Sequence, residues 1–134
     1  MSDFIYSSGL RNVGSYQSTG SPYFTGSAAI DNGDELRVQF PKVTKSVTVY
    51  ALSSSDGTGV DVHFNSASSG NVMGGMHYKR LSHMESFTFN VKCKEIYITN
   101  PASGTQPLGF TVTAELTNIP TSSMFALTGS GLTD

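Results

Sequence analysis

Acidic residues cluster in and beside the predicted turns, where their carboxylates could hold a hard cation such as Ca²⁺. They are Asp31, Asp34, Glu35, Asp56 and Asp61. Their spacing departs from the Asp-x-Asp-x-Asp-Gly loop of calcium hands, and acidic residues are common in tight turns for conformational reasons alone. We therefore predict no metal and no cofactor, with calcium at the acidic turn 31–35 as the alternative left open.

Three histidines offer further candidates for a metal ligand or a general base. His63, His77 and His83 do not have the spacing typical of zinc ligands. His63 lies two residues from Asp61 on the same face of a predicted strand, and the simplest interpretation is a surface pair. No Gly-x-Ser-x-Gly sequence is present to place a nucleophile on a sharp turn. We predict no catalytic residues and expect that the chain is not an enzyme.

The only cysteine is Cys93, which excludes an internal disulfide. Lys92 and Lys94 flank it, and nearby cations favour the reactive thiolate. Its position between strand residues favours a structural thiol instead.

Composition and charge narrow the classes of partner. The 134 residues suffice for one domain with its own core. Charged residues make up only 13% of the chain, whereas glycine, with 14 residues, serine and threonine are abundant. A net charge of −2 and a pI near 5.8 disfavour nucleic-acid binding, which needs a basic surface. No apolar run reaches membrane length, and the start MSDFIYSS lacks the pattern of a signal peptide.

Alternation of apolar and polar residues with period two predicts strands throughout the chain. The predicted strands cover residues 23–30, 35–40, 47–52, 60–64, 76–81, 87–91, 96–98 and 110–114. Asn32 and Gly33 predict a tight hairpin that pairs the first two strands, because both residues tolerate positive φ. The predicted fold is all-β, a single antiparallel β-sandwich of jelly-roll type with seven or eight strands.

Both ends of the chain are polar and glycine-rich yet carry large apolar residues. We predict an N-terminal arm over 1–22, a β-sandwich domain over 23–116 and a C-terminal arm over 117–134. The candidate partner-interface residues on these arms are Phe4, Ile5, Tyr6, Tyr16, Met124, Phe125 and Leu127. Burying several such side chains on a neighbour would offset the entropy lost when an arm becomes ordered.

Four short segments carry a family resemblance: VGSY at 13–16, FPKVTKSV at 40–47, AELTNIP at 114–120 and LTGSG at 127–131. In this order the chain resembles β-sandwich structural proteins of tailed bacteriophages, in particular capsid decoration or cement proteins. The resemblance implies a virion component, assembled in the host cytoplasm, that binds the major capsid protein on the outer capsid surface and stabilises the head. It also implies a homotrimer, while the charge and the lack of a long apolar run predict neither nucleic acid nor membrane as partner.

Two alternatives remain. A single-jelly-roll minor capsid or vertex (penton) protein would share nearly every sequence feature. A carbohydrate-binding module would share the sandwich, although the absence of tryptophan weakens that interpretation.

Overall fold

The computed structural model describes residues 9–11, 20–31, 33–53, 59–66, 72, 75–101, 108–125 and 127. Eight strands and one short helix make up this part of the chain. They are β1 (Ser21–Ile30), β2 (Glu35–Gln39), β3 (Lys42–Ala51), β4 (Val60–His63), β5 (Lys79–Leu81), β6 (Ser86–Phe89), β7 (Glu95–Thr99), β8 (Leu108–Pro120) and a 3₁₀ turn over Thr121–Ser123. Among the described residues, no helix is long and apolar enough to cross a membrane.

The strands form two four-stranded sheets in which every pairing is antiparallel. Sheet A has the order β1-β8-β3-β6, and sheet B has the order β2-β7-β4-β5. The chain passes repeatedly from one sheet to the other, and its first and last strands are neighbours in sheet A. This is the strand order of an eight-stranded jelly roll, so the predicted antiparallel sandwich is confirmed.

The core lies between the sheets and follows the alternation expected of strands with one buried face. Side chains of β3 and β8 enter it from sheet A, and those of β4 and β7 enter it from sheet B. The fully buried members include Val47, Val49, Phe110, Val112, Val60, Val62, Ile96 and Ile98. Each such side chain contributes about 1.5–3 kcal/mol relative to exposure. A smaller cluster of Val43, Ile119 and Met124 caps one end of β3 and β8.

The predicted hairpin between the first two strands is wrong. A turn is present, with the Asp34 amide donating to the Asp31 carbonyl at 3.0 Å and Gly33 at a φ of +76°. However, β1 pairs with β8 and β2 pairs with β7, so the turn is a corner between the two sheets. The Asn100 side chain donates to the Ile30 carbonyl at 2.7 Å and fixes this corner. Asn32 lies outside the described residues.

Five strands extend beyond their predicted ranges: β1, β6 and β7 by one or two residues at an end, and β3 and β8 by more. Strand β3 begins at Lys42, directly after Pro41, because its first residues pair with the end of β8. Strand β8 continues to Pro120, so the first residues of the predicted C-terminal arm belong to a strand, and Ile119 is fully buried. The short strand β5 lies at the edge of sheet B, as predicted for residues 76–81.

Candidate binding surfaces of the sandwich

Two rows of uncharged residues cross the outer face of sheet A, and Glu115 lies in the row beside them, where its carboxylate accepts a hydrogen bond from the Ser46 hydroxyl. One row crosses all four strands through Phe24, Thr113, Thr48 and Thr88, and a second passes through Gly26, Thr111, Tyr50 and Ser86. The hydroxyls of Thr48 and Thr88 lie 2.9 Å apart and share a hydrogen bond. Phe24 is 71% exposed and Tyr50 is 37% exposed. This face offers hydroxyl groups and two aromatic rings to a partner.

The outer face of sheet B carries ion pairs. The Asp61 side chain is fully buried, and Arg80 donates to both of its carboxylate oxygens, at 2.8 and 3.0 Å. Arg37 donates in the same bidentate way to Glu95, at 2.8 Å for both bonds. The hydrogen bonds that Arg80 donates to Asp61 raise the pKa of Arg80, and those that Arg37 donates to Glu95 lower the pKa of Glu95. Charges on this face are therefore paired within the chain.

His63 is the centre of the polar contacts on sheet B. Its Nδ1 lies 2.6 Å from the Asn65 carbonyl, and its Nε2 lies 2.6 Å from the Thr99 hydroxyl. Because a carbonyl only accepts, Nδ1 carries the proton in the neutral ring and Nε2 accepts from Thr99. The Tyr97 ring stacks on the imidazole with centroids 5.8 Å apart, and a Glu35 oxygen lies 3.9 Å from Nε2. Burial is the main cause that lowers the pKa of His63.

The predicted surface pair of Asp61 and His63 is wrong. Both side chains are buried, and each has its own partners. The reason is tertiary: the guanidinium of Arg80 lies over Asp61, and the ring of Tyr97 lies over His63. Tyr97 also donates to Glu95 at 2.5 Å. Burial of the Tyr97 hydroxyl is the main cause, and this hydrogen bond the second, that raises the pKa of Tyr97 to about 12.

The remaining candidates for chemistry lie apart from one another. Within the described ranges, no group of three or more His, Cys, Asp or Glu side chains is arranged to hold a metal ion. Cys93 is buried against the Thr44 hydroxyl, and burial raises the pKa of its thiol to about 11. His77 lines a surface cleft, while the Nδ1 of His83 is buried and lacks a hydrogen-bond partner in the described part of the chain. Asp56 lies outside the described residues.

The cleft beside His77 lies where the edges of the two sheets meet at β5 and β6. It encloses about 330 Å³ and is lined by Val62, Phe64, Met76, His77, Tyr78, Lys79 and Phe89. Phe64 and Phe89 meet edge to face with centroids 5.7 Å apart, and the Lys79 ammonium lies 5.1 Å from the Phe87 centroid. Aromatic rings therefore line this cleft between the two sheet edges.

The predicted arm residues divide into three groups. Phe4, Ile5, Tyr6 and Tyr16 lie outside the described residues. Met124 is buried in the small cluster of its own chain, and Leu127 packs partly against that cluster. Phe125 is 42% exposed, so of the C-terminal candidates it is the one whose ring is most available to a partner. A role of these residues in binding a partner stays a prediction.

Sequence reasoning missed Phe24 and the threonine rows as a candidate surface. The period-two pattern that identified β8 already placed Thr111 and Thr113 outward. The pattern does not reveal the order of the strands. That order brings the outward residues of β1, β8, β3 and β6 side by side. Comparisons with family models, curated proteins and solved structures find no match for this chain.

Proposed function

We propose that this protein is a viral structural protein of the capsid decoration or cement type, which binds the outer surface of the capsid and stabilises the head. The observation that carries the proposal is the pair of uncharged rows on the outer face of sheet A, which hold the threonines and the exposed Phe24 and Tyr50. Protein interfaces are depleted of charge at their centres and enriched in aromatic residues. The jelly roll supports this assignment, since viral capsid domains use it, although lectins and cupins share it.

The proposed partner is the major capsid protein, and sister copies are a second partner. The homotrimer suggested by the family resemblance belongs to the same proposal. Neither nucleic acid nor membrane is a partner in it, because the charges of sheet B are neutralised in pairs and the chain has a net charge of −2. No enzymatic step is part of the proposed role.

The test is co-sedimentation of purified protein with capsids of the virus that encodes it. On the face of sheet A, Tyr50→Asp places a charge at an exposed position and is expected to lower capsid binding at least tenfold without unfolding the protein. Glu85→Gln, an exposed change between β5 and β6, is the control and should bind like the wild type. Wild-type protein that does not sediment with capsids would refute the proposal.

A truncated variant tests the hypothesis that the N-terminal arm attaches the protein to the capsid. Deleting residues 1–8 leaves Leu10 in contact with the cluster of Val43, Ile119 and Met124, so the sandwich should keep its stability. If the N-terminal arm attaches the protein to the capsid, this deletion abolishes co-sedimentation. If binding persists, the attachment surface is the face of sheet A, the C-terminal residues or the rest of the arm, which keeps Tyr16.

A vertex or minor capsid protein is the second candidate, and the complete eight-stranded jelly roll favours it. Its copy number in purified virions separates the two roles. A decoration protein occurs across the whole lattice, whereas a vertex protein is confined to a few positions. Quantitative mass spectrometry of virions, with the major capsid protein as internal reference, measures this ratio.

A further inference from the structure

Unpaired sheet edges are sites where another strand can add, and proteins usually protect them with charge or short length. Edge strand β2 has five residues and carries Glu35 and Arg37. Edge strand β5 has three residues, of which Lys79 and Arg80 are charged. Edge strand β6 has four residues, and the Lys79 ammonium lies over its Phe87. All three edges are therefore short or accompanied by charge.

The fourth edge, β1, differs from these in both respects. It has ten residues, SPYFTGSAAI, and none of them is charged. Its register with β8 is regular from Ser21 to Ser27 and shifts only between Ser27 and Ile30. In the part of the chain that the structure describes, β8 is its single neighbour in the sheet. Within the described part of the chain, an uncharged strand with a regular stretch from Ser21 to Ser27 therefore presents an unpaired edge.

The side chains of β1 add to this difference. Tyr23 points inward and packs edge to face on Phe40, with centroids 5.6 Å apart, which fixes the strand to the core. The next residue, Phe24, points outward and is 71% exposed near the middle of the regular stretch. Isolated exposed phenylalanines are common, but here the ring stands on an edge that also has unprotected backbone groups.

We propose that β1 pairs antiparallel with β1 of a second copy of this chain, around a two-fold axis at Phe24. The two four-stranded A sheets then become one continuous eight-stranded sheet. The two Phe24 rings become cross-strand neighbours on its outer face. In this register Pro22 lies opposite Gly26 of the second copy, and because proline has no N–H, it donates no ladder hydrogen bond at either end of the pairing.

A second copy fits this edge because a two-fold contact brings each residue against the same strand. Charged edges such as β2 and β5 could meet their own like charges in such a pairing, whereas β1 meets none. The row Phe24, Thr113, Thr48 and Thr88 would continue across the axis into its own copy. This contact does not depend on capsid binding, and it could link copies that a separate threefold contact also joins.

A cysteine at the proposed axis tests the geometry directly. Phe24→Cys places two thiols side by side in the dimer and should form a cross-linked dimer under mild oxidation. Cys93 should not interfere, because it is buried and its pKa is raised to about 11. Thr88→Cys, on the outer face at the opposite edge of sheet A, is the matched control and should cross-link at least tenfold more slowly. Equal rates for the two variants would overturn the proposal.

Phe24→Lys provides a measurement without a covalent bond. It places like charges at the axis and should raise the dimer dissociation constant at least tenfold in sedimentation equilibrium, while Thr88→Lys leaves it unchanged. Circular dichroism melting at a protein concentration far below the dimer dissociation constant should give the same Tm for both variants, since both positions are exposed. A wild-type protein that stays monomeric at all concentrations, together with Phe24→Cys that does not cross-link, would refute the pairing.

Discussion

The outer faces of the two sheets use polar residues in opposite ways. On sheet B, Asp61 and His63 are buried beneath Arg80 and Tyr97, and their hydrogen bonds are made within the chain. On sheet A, two rows of outward residues carry no charge, and Phe24, Thr111 and Thr113 in these rows are exposed. Buried charge must be compensated by a partner, whereas an exposed hydroxyl can exchange its partner for water at little cost. The polar groups of sheet B therefore stabilise the fold, whereas those of the two uncharged rows on sheet A stay accessible to solvent.

The largest expected effect comes from breaking the Arg80–Asp61 pair. Arg80→Ala leaves the buried Asp61 carboxylate without its cation and should lower the free energy of unfolding by about 3 kcal/mol. This figure is at the low end for such pairs because the Arg80 side chain is itself 58% exposed. Urea unfolding of the variant and of Thr111→Ala measures the contrast, since the threonine change on sheet A should cost less than about 0.5 kcal/mol.

A double variant tests whether the loss of stability comes from the uncompensated charge of Asp61. Replacing both partners, with Asp61→Leu and Arg80→Leu together, removes the charge and its requirement for a partner, so the double variant should recover much of the loss. A loss below about 1 kcal/mol for Arg80→Ala would instead identify an ordinary exposed ion pair, and the distinction between the faces would fail.

The next largest expected effect is a pH dependence of stability, caused by His63 on sheet B. Burial lowers the pKa of His63 below its ordinary value of 6.5. Above pH 6.5 the ring is neutral in both folded and unfolded chains, and its contribution is fully present. As the pH falls below 6.5 the unfolded chain binds the proton first, so stability decreases until the pH reaches the lower pKa of the folded state, by up to about 1.4 kcal/mol per pH unit.

Urea unfolding at several pH values between 5 and 7.5 measures this slope. The variant His63→Gln keeps a side chain that can bond to Asn65 and Thr99, but it cannot titrate, so the difference between the two proteins isolates His63. Parallel curves for the two proteins would show that His63 keeps an ordinary pKa after folding.

A smaller effect is expected at Tyr97. Tyr97→Phe removes the hydrogen bond to Glu95 but keeps the ring that stacks on His63, and should cost about 1 kcal/mol. Tyr50→Phe is the same chemical change on the face of sheet A, where the side chain is 37% exposed, and should change stability by less than about 0.5 kcal/mol. Thermal unfolding of both variants tests the difference, and equal losses would contradict it.

The sequence predicted the strands well and their pairing poorly, for a physical reason. Alternation along β3, β4 and β8 is a local signal of one buried face, and it located all three strands, although β3 begins earlier and β8 ends later than predicted. The partner of a strand depends on distant chain: β1 pairs with β8, although the turn beside Gly33 is chemically suited to a hairpin. The burial of His63 was also unpredictable, because the ring that covers it comes from another strand.

The smallest expected effect concerns the threonine rows of sheet A. Changing Thr48 and Thr88 together to valine keeps the side-chain shape and the β-branching favoured in strands, but removes two hydroxyls that lie 2.9 Å apart. Thr88 is exposed, and in the unfolded wild-type chain both hydroxyls form hydrogen bonds with water instead of with each other. Removing the bond should therefore change stability by less than about 0.5 kcal/mol. If this face binds capsids, binding should nevertheless fall several-fold, since a partner loses hydrogen bonds that valine cannot offer. Urea unfolding and capsid co-sedimentation of the same protein separate the two quantities. A loss of stability above about 1 kcal/mol with unchanged binding would reverse the assignment, because the hydroxyl rows would then hold the sheet together instead of meeting a partner.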